Sequence, residues 1–187
     1  FMSDLGDGKV DPIRELDVSG QGLTELDLSG YPDLEVLDCS NNHLTDLNLH
    51  GNRNLKILSC LNNRLTEIDL SDSSNLIELY CSNNDITHLD FSMTTRLEKL
   101  WCFNNRIEVL DLNRAATIRV LFCYNNNLKD LDLSRLKRLQ MLSCRNNRLK
   151  NLDLSCNGEL GVLYCSNNQL TELDLSFTRH LEALYCY

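Results

Sequence analysis

The chain has 187 residues, of which 27 are acidic and 18 basic, and its net charge at neutral pH is -9. That balance disfavours nucleic acid or an anionic membrane as a partner, since both would repel it. No apolar run approaches the roughly 20 residues of a membrane span, so no membrane insertion is expected.

Residues 1–12 read as a lead-in. They lack the basic and apolar regions of a signal peptide, so any export signal is expected upstream or already removed. Ser3 to Asp11, SDLGDGKVD, has the outline of a calcium loop of the DxDxDG kind. Ser3 and Leu5 stand where carboxylate or amide ligands belong, however, and a flexible lead-in is the preferred reading.

From Ile13 onward the chain repeats. Cysteine falls at 39, 60, 81, 102, 123, 144, 165 and 186, a step of 21 residues held without a slip. The frame is LxxLxCxxNxLxxLDLSxxxx, opening at Ile13, Leu34, Leu55, Leu76, Leu97, Ile118, Leu139, Leu160 and Leu181. Such a period means one supersecondary unit stacked on copies of itself. Nine rungs are visible. The last breaks off at Tyr187, which suggests a piece of a longer protein with an open apolar cross-section. A monomer or an end-to-end dimer is expected.

Within each unit, side chains of a strand alternate between faces, so the leucine and cysteine of LxC point inward and the residue between them outward. Stacking at about 4.8 Å then gives a parallel sheet over a continuous apolar interior. Asn42, Asn63, Asn84, Asn105, Asn126, Asn147 and Asn168 follow the cysteines by three. There an inward amide can satisfy the turn backbone of its own and adjacent rungs. Gln21 and Val18 replace the asparagine and cysteine in the first rung, as suits a terminal unit. The LxxLDLS segment echoes the LxxLxC spacing ten residues later, which predicts an extended back with a second inward row and very little helix.

These motifs resemble the leucine-rich repeat family, and most closely its bacterial branch of about 21 residues per unit reading LDCSNNxLTxLDLS. The match runs from Ile13 to Tyr187. The resemblance implies a solenoid of mostly strand and turn, a binding role, and a secreted or cell-surface bacterial setting. It implies no particular ligand.

The cysteine ladder reads as core packing. Stacked thiols run parallel and do not converge for disulfides, and a straight row in an apolar interior cannot make a zinc tetrahedron. Buried thiols should be inert, with Cys156, outside the ladder, the one expected to be reachable. No metal or other cofactor is expected.

Function should therefore lie on the outward columns. One step before each cysteine stand Asp17, Asp38, Ser59, Tyr80, Trp101, Phe122, Ser143, Tyr164 and Tyr185, and one step after it Ser19, Ser40, Leu61, Ser82, Phe103, Tyr124, Arg145, Ser166 and Tyr187. Eight of the chain's twelve aromatics fall in these eighteen places, where chance would put about one. Outward aromatics one rung apart could simply stack on each other. A contiguous strip on the concave side of a solenoid also marks a binding surface. The candidate ligand-binding residues are Tyr80, Trp101, Phe103, Phe122, Tyr124, Tyr164 and Tyr185, with Glu78, Lys99 and Arg145 to orient the partner. A protein ligand is the first expectation. A glycan is the second, with Ser82 and Arg145 supplying hydrogen bonds, and a structural spacer the third.

On the opposite side the LDLS segments align Asp27, Asn48, Asp69, Asp90, Asp111, Asp132, Asp153 and Asp174. Repulsion along that row needs an offset, and hydrogen bonds from the turn two residues on are the simplest. A straight carboxylate row lacks the converging oxygens calcium prefers. The four histidines are scattered over different columns and no glycine-rich phosphate loop occurs, so no enzyme is expected.

Overall fold

A computed structural model describes residues 11–187. The calcium-loop reading and most of the lead-in therefore lie outside the described residues. Nine three-residue strands follow one another: β1 Glu15–Asp17, β2 Val36–Asp38, β3 Ile57–Ser59, β4 Glu78–Tyr80, β5 Lys99–Trp101, β6 Val120–Phe122, β7 Met141–Ser143, β8 Val162–Tyr164 and β9 Ala183–Tyr185. They form one parallel sheet in chain order, each residue paired with the one 21 positions later, as in Leu79 with Leu100 and Tyr80 with Trp101. The described residues contain no helix.

The pattern that dictates this is the alternation in xLxC. Leu79, Leu100, Leu121 and Leu142 are fully buried, as are Cys81, Cys102, Cys123 and Cys144, while the residues between them face out. The back of each coil supplies the second inward row. Leu44, Leu47 and Leu49 are buried, and so are Leu65, Ile68 and Leu70 one rung on, while Phe91 takes the place of Leu49 two rungs on. These segments form no second sheet. Paired turns carry each coil back instead, as where Asn52 N donates to Leu49 O and Leu55 N to Asn52 O. All nine cysteines are free thiols.

The inward asparagines form the expected ladder. Asn105 donates through Nδ2 to Cys81 O and Cys102 O, each at 3.1 Å, and accepts from Ile86 N at 3.0 Å. Each side chain thus ties its own rung to the one before. A second ladder runs beside it. Asn41, Asn62, Asn83, Asn104, Asn125, Asn146 and Asn167 all take a left-handed backbone, with φ between 53° and 57°. Asparagine tolerates that region better than other non-glycine residues. Their side chains link rungs on the surface, Asn146 Nδ2 to Asn125 Oδ1 at 2.5 Å and Asn167 Nδ2 to Asn146 Oδ1 at 2.7 Å. The doubled NN from Asn41 onward marks the positions but not the backbone angle that gives them this role.

Candidate protein-recognition face

Three outward columns make up the exposed side of the sheet, because the first and third residues of each strand and the residue after the cysteine all point away from the core. The first column, Glu15, Val36, Ile57, Glu78, Lys99, Val120, Met141, Val162 and Ala183, is apolar at six of its nine places. Only Glu78 and Lys99 of it figured in the sequence expectation. Strict alternation along each strand would have found the rest.

In the second and third columns the aromatics stack on one another along the solenoid axis. Trp101 meets Tyr80 edge-on at 4.9 Å and stacks on Phe122 at 5.6 Å. Phe103 lies parallel to Tyr124 at 4.4 Å, and Trp101 also touches Phe103 at 6.3 Å. Farther along, Tyr164 and Tyr185 stack at 4.5 Å. Each such contact contributes about 0.5–1.5 kcal/mol beyond area burial. The stacking reading of the strip is realised in these ring pairs. All but Tyr185 are half-buried.

The polar residues of the face divide into engaged and unengaged. Lys99 Nζ lies 2.7 Å from Glu78 Oε1, and Tyr80 donates its hydroxyl to the same carboxylate. Burial and the Glu78 hydrogen bond push the Tyr80 phenol well up. Burial would raise Glu78, but the Lys99 and Tyr80 hydrogen bonds outweigh it and hold the carboxyl below its usual range. Arg145 instead lies over the Tyr124 ring at 4.6 Å, with no ion pair among the described residues. Ser82 is fully buried, so it cannot bond to a sugar on this face. Its Oγ and Trp101 Nε1 are both enclosed without a hydrogen-bond partner.

The strip has one interruption. Register places Phe122, Ser143 and Tyr164 side by side, and at Ser143 a depression of about 370 Å³ opens, lined by Phe122, Tyr124, Met141, Ser143, Arg145 and Tyr164.

The acidic row on the back is held by turn amides. Each Asp, or Asn48, accepts from the backbone N–H two residues on, for example Ser71 N to Asp69 Oδ1 and Ser155 N to Asp153 Oδ1, both 2.9 Å. These bonds hold the Asp90, Asp153 and Asp174 carboxyls below their usual range. No group of three or more metal-binding side chains occurs among the described residues. The ladder thiols from Cys39 to Cys165 are buried, while Cys156 and Cys186 are exposed.

None of the known family models matches the chain, and no curated protein sequence does. Solved structures do. The chain is similar to the functional domain of InlJ from Listeria monocytogenes, described as including a cysteine ladder, with 33% identity and a TM-score of 0.76. The match covers 93% of this chain and 44% of that one. A leucine-rich repeat protein of Leptospira interrogans is 21% identical with the same TM-score over 84% of this chain and 43% of its own. Internalin C2 of Listeria monocytogenes reaches a TM-score of 0.84 at 20% identity, over 94% and 80%. The chain thus spans less than half of the first two relatives.

Proposed function

We propose that this chain, which belongs to the leucine-rich repeat family, is a noncatalytic protein-recognition module that docks its partner on the aromatic side of its sheet. One observation carries the reading: partly exposed aromatic side chains continue along the outward side of the sheet from β4 to β9, broken at a single rung. Aromatic enrichment of this kind, with a few charges at the margin, is the composition of interface hot spots. Trp101 is the central anchor, since it touches Tyr80, Phe103 and Phe122 at once.

The ring geometry favours protein over glycan. Sugars stack on open ring faces, whereas Phe103 and Tyr124 turn a face to each other, as do Tyr164 and Tyr185, and Arg145 lies over Tyr124 as well. The resemblance to bacterial cysteine-ladder repeats supports work outside the cell, on a surface or in the medium.

The test uses a display library of random dodecapeptides selected on the unmodified domain, beside a glycan array. Combining Trp101→Ala with Phe122→Ala should weaken the selected peptides at least 30-fold, the effect of losing a hot spot of about 2 kcal/mol. Melting is followed separately, because the lost ring contacts also destabilise. Unchanged binding by the folded double variant refutes the assignment, and strong array signals without peptide binders move it to glycan.

A further inference from the structure

We infer that Phe122, Ser143 and Tyr164 form a slot for one aromatic side chain of the partner, and that Arg145 takes an acidic residue beside it. The inference rests on the protein-recognition reading above and gives its ligand a chemistry.

The slot follows from the register. Phe122 on β6, Ser143 on β7 and Tyr164 on β8 occupy the same column of successive rungs. Two rung steps of about 4.8 Å separate the flanking rings by about 9.6 Å. A planar ring placed midway would sit about 4.8 Å from each wall, and the ladder's own stacked rings lie 4.4 to 5.6 Å apart. The opening therefore has the thickness of one rung of the same stack. Its walls are held from behind, Phe122 by Trp101 and Tyr164 by Tyr185. Ser143 forms the floor with 5% of its surface exposed, and Met141 adds a polarizable side.

Arg145 sets the second half of the ligand. Its guanidinium is stacked on Tyr124, which fixes the plane and leaves donors along the edge. In a chain of net charge -9 it is a cation without an ion pair among the described residues, beside the only break in the strip. A carboxylate next to the inserted ring pairs with it, while a neutral sugar leaves it unpaired. The occupant is an extended peptide with an aromatic residue adjacent to Asp or Glu.

The probes are the blocked peptide acetyl-Gly-Asp-Tyr-Gly-amide, its Leu-for-Tyr and Lys-for-Asp analogues, and methyl β-glucoside, titrated into the 187-residue chain by NMR. Expected are shifts confined to the Ser143 and Tyr164 region, affinity at least fivefold lower for the Leu peptide, and at least threefold lower for the Lys peptide. Arg145→Ala should weaken the Asp peptide and leave the Lys peptide unaffected. Ser143→Phe places the chain's own ring in the slot and should abolish peptide binding without lowering the melting temperature. If that variant fails to fold, Tyr164→Ala, which removes one wall, must weaken the Asp-Tyr peptide at least fivefold. Equal binding of the Leu and Tyr peptides, wild-type affinity in Ser143→Phe, or tighter binding of the glucoside would each overturn the slot. Library-selected peptides that lose affinity with Trp101→Ala but keep it with Ser143→Phe leave recognition by this face standing and remove only the slot.

Discussion

Raising the pH should unfold this protein far sooner than its size suggests, because its interior is a column of thiols. Burial pushes Cys39 and Cys102 up to about 12, and Cys60, Cys81, Cys123 and Cys144 well above their ordinary value of 9.0. In the unfolded chain the same thiols ionise near 9. The neutral thiol is the form the fold accommodates, so the contribution is fully present below pH 9 and is lost as pH climbs toward the folded values. Across that window each thiol costs about 1.4 kcal/mol per pH unit. Six of them amount to about 8 kcal/mol at pH 10, one unit into the window, against a total stability of about 5–15 kcal/mol for a domain.

The assay is guanidinium unfolding followed by far-UV ellipticity in reductant, at half-unit steps from pH 7.5 to 11. Lysine and tyrosine also titrate there, so the control is a variant carrying Val at Cys81, Cys102 and Cys123. Valine already holds this position in the first rung, at Val18. With three of the six thiols gone, about half the loss at pH 10, about 4 kcal/mol, should disappear. A flat wild-type profile from pH 8.5 to 10.5 refutes the reasoning, and so does a variant profile superimposable on it.

The two asparagine ladders should respond differently. Asn105→Ala removes the bonds donated to Cys81 O, Cys102 O and Phe103 O and one accepted bond, and leaves Ile86 N–H unsatisfied, a loss of about 3–5 kcal/mol by chemical denaturation. Asn104→Ala should cost about 1–2 kcal/mol for the left-handed backbone, and Asn104→Gly less, so an exposed-ladder loss exceeding that of Asn105 would contradict the assignment. Among the thiols, Cys156 should react with a maleimide at pH 7.5 within minutes while the ladder from Cys39 to Cys165 stays unmodified until unfolding, as peptide mass mapping would read.

What could be read in advance divides along a physical line. The cysteine step determined every strand and its register, because a period of 21 with alternating faces permits one inward set, and Leu79, Cys81 and their counterparts are buried as that requires. Asn105 was legible for the same reason: its inward position demands backbone partners. Asn104 was not, since its role depends on a backbone angle that the period does not display. Ser82 shows the other limit. Its column points outward, yet Ser82 is fully buried, and no count along the chain reports side-chain packing.

The same limit explains Ser143. In sequence it is merely the place where the aromatic strip breaks off before Tyr164. In three dimensions the period continues through the break, so the spacing of a ring is preserved where the ring itself is missing. A regular solenoid makes such departures meaningful: the scaffold repeats identically, so whatever distinguishes one rung from the next lies in the outward columns, free to answer to a partner. The serine that interrupts the strip, flanked by ring faces and a stacked arginine, is therefore a better guide to the ligand than the aromatics that continue it.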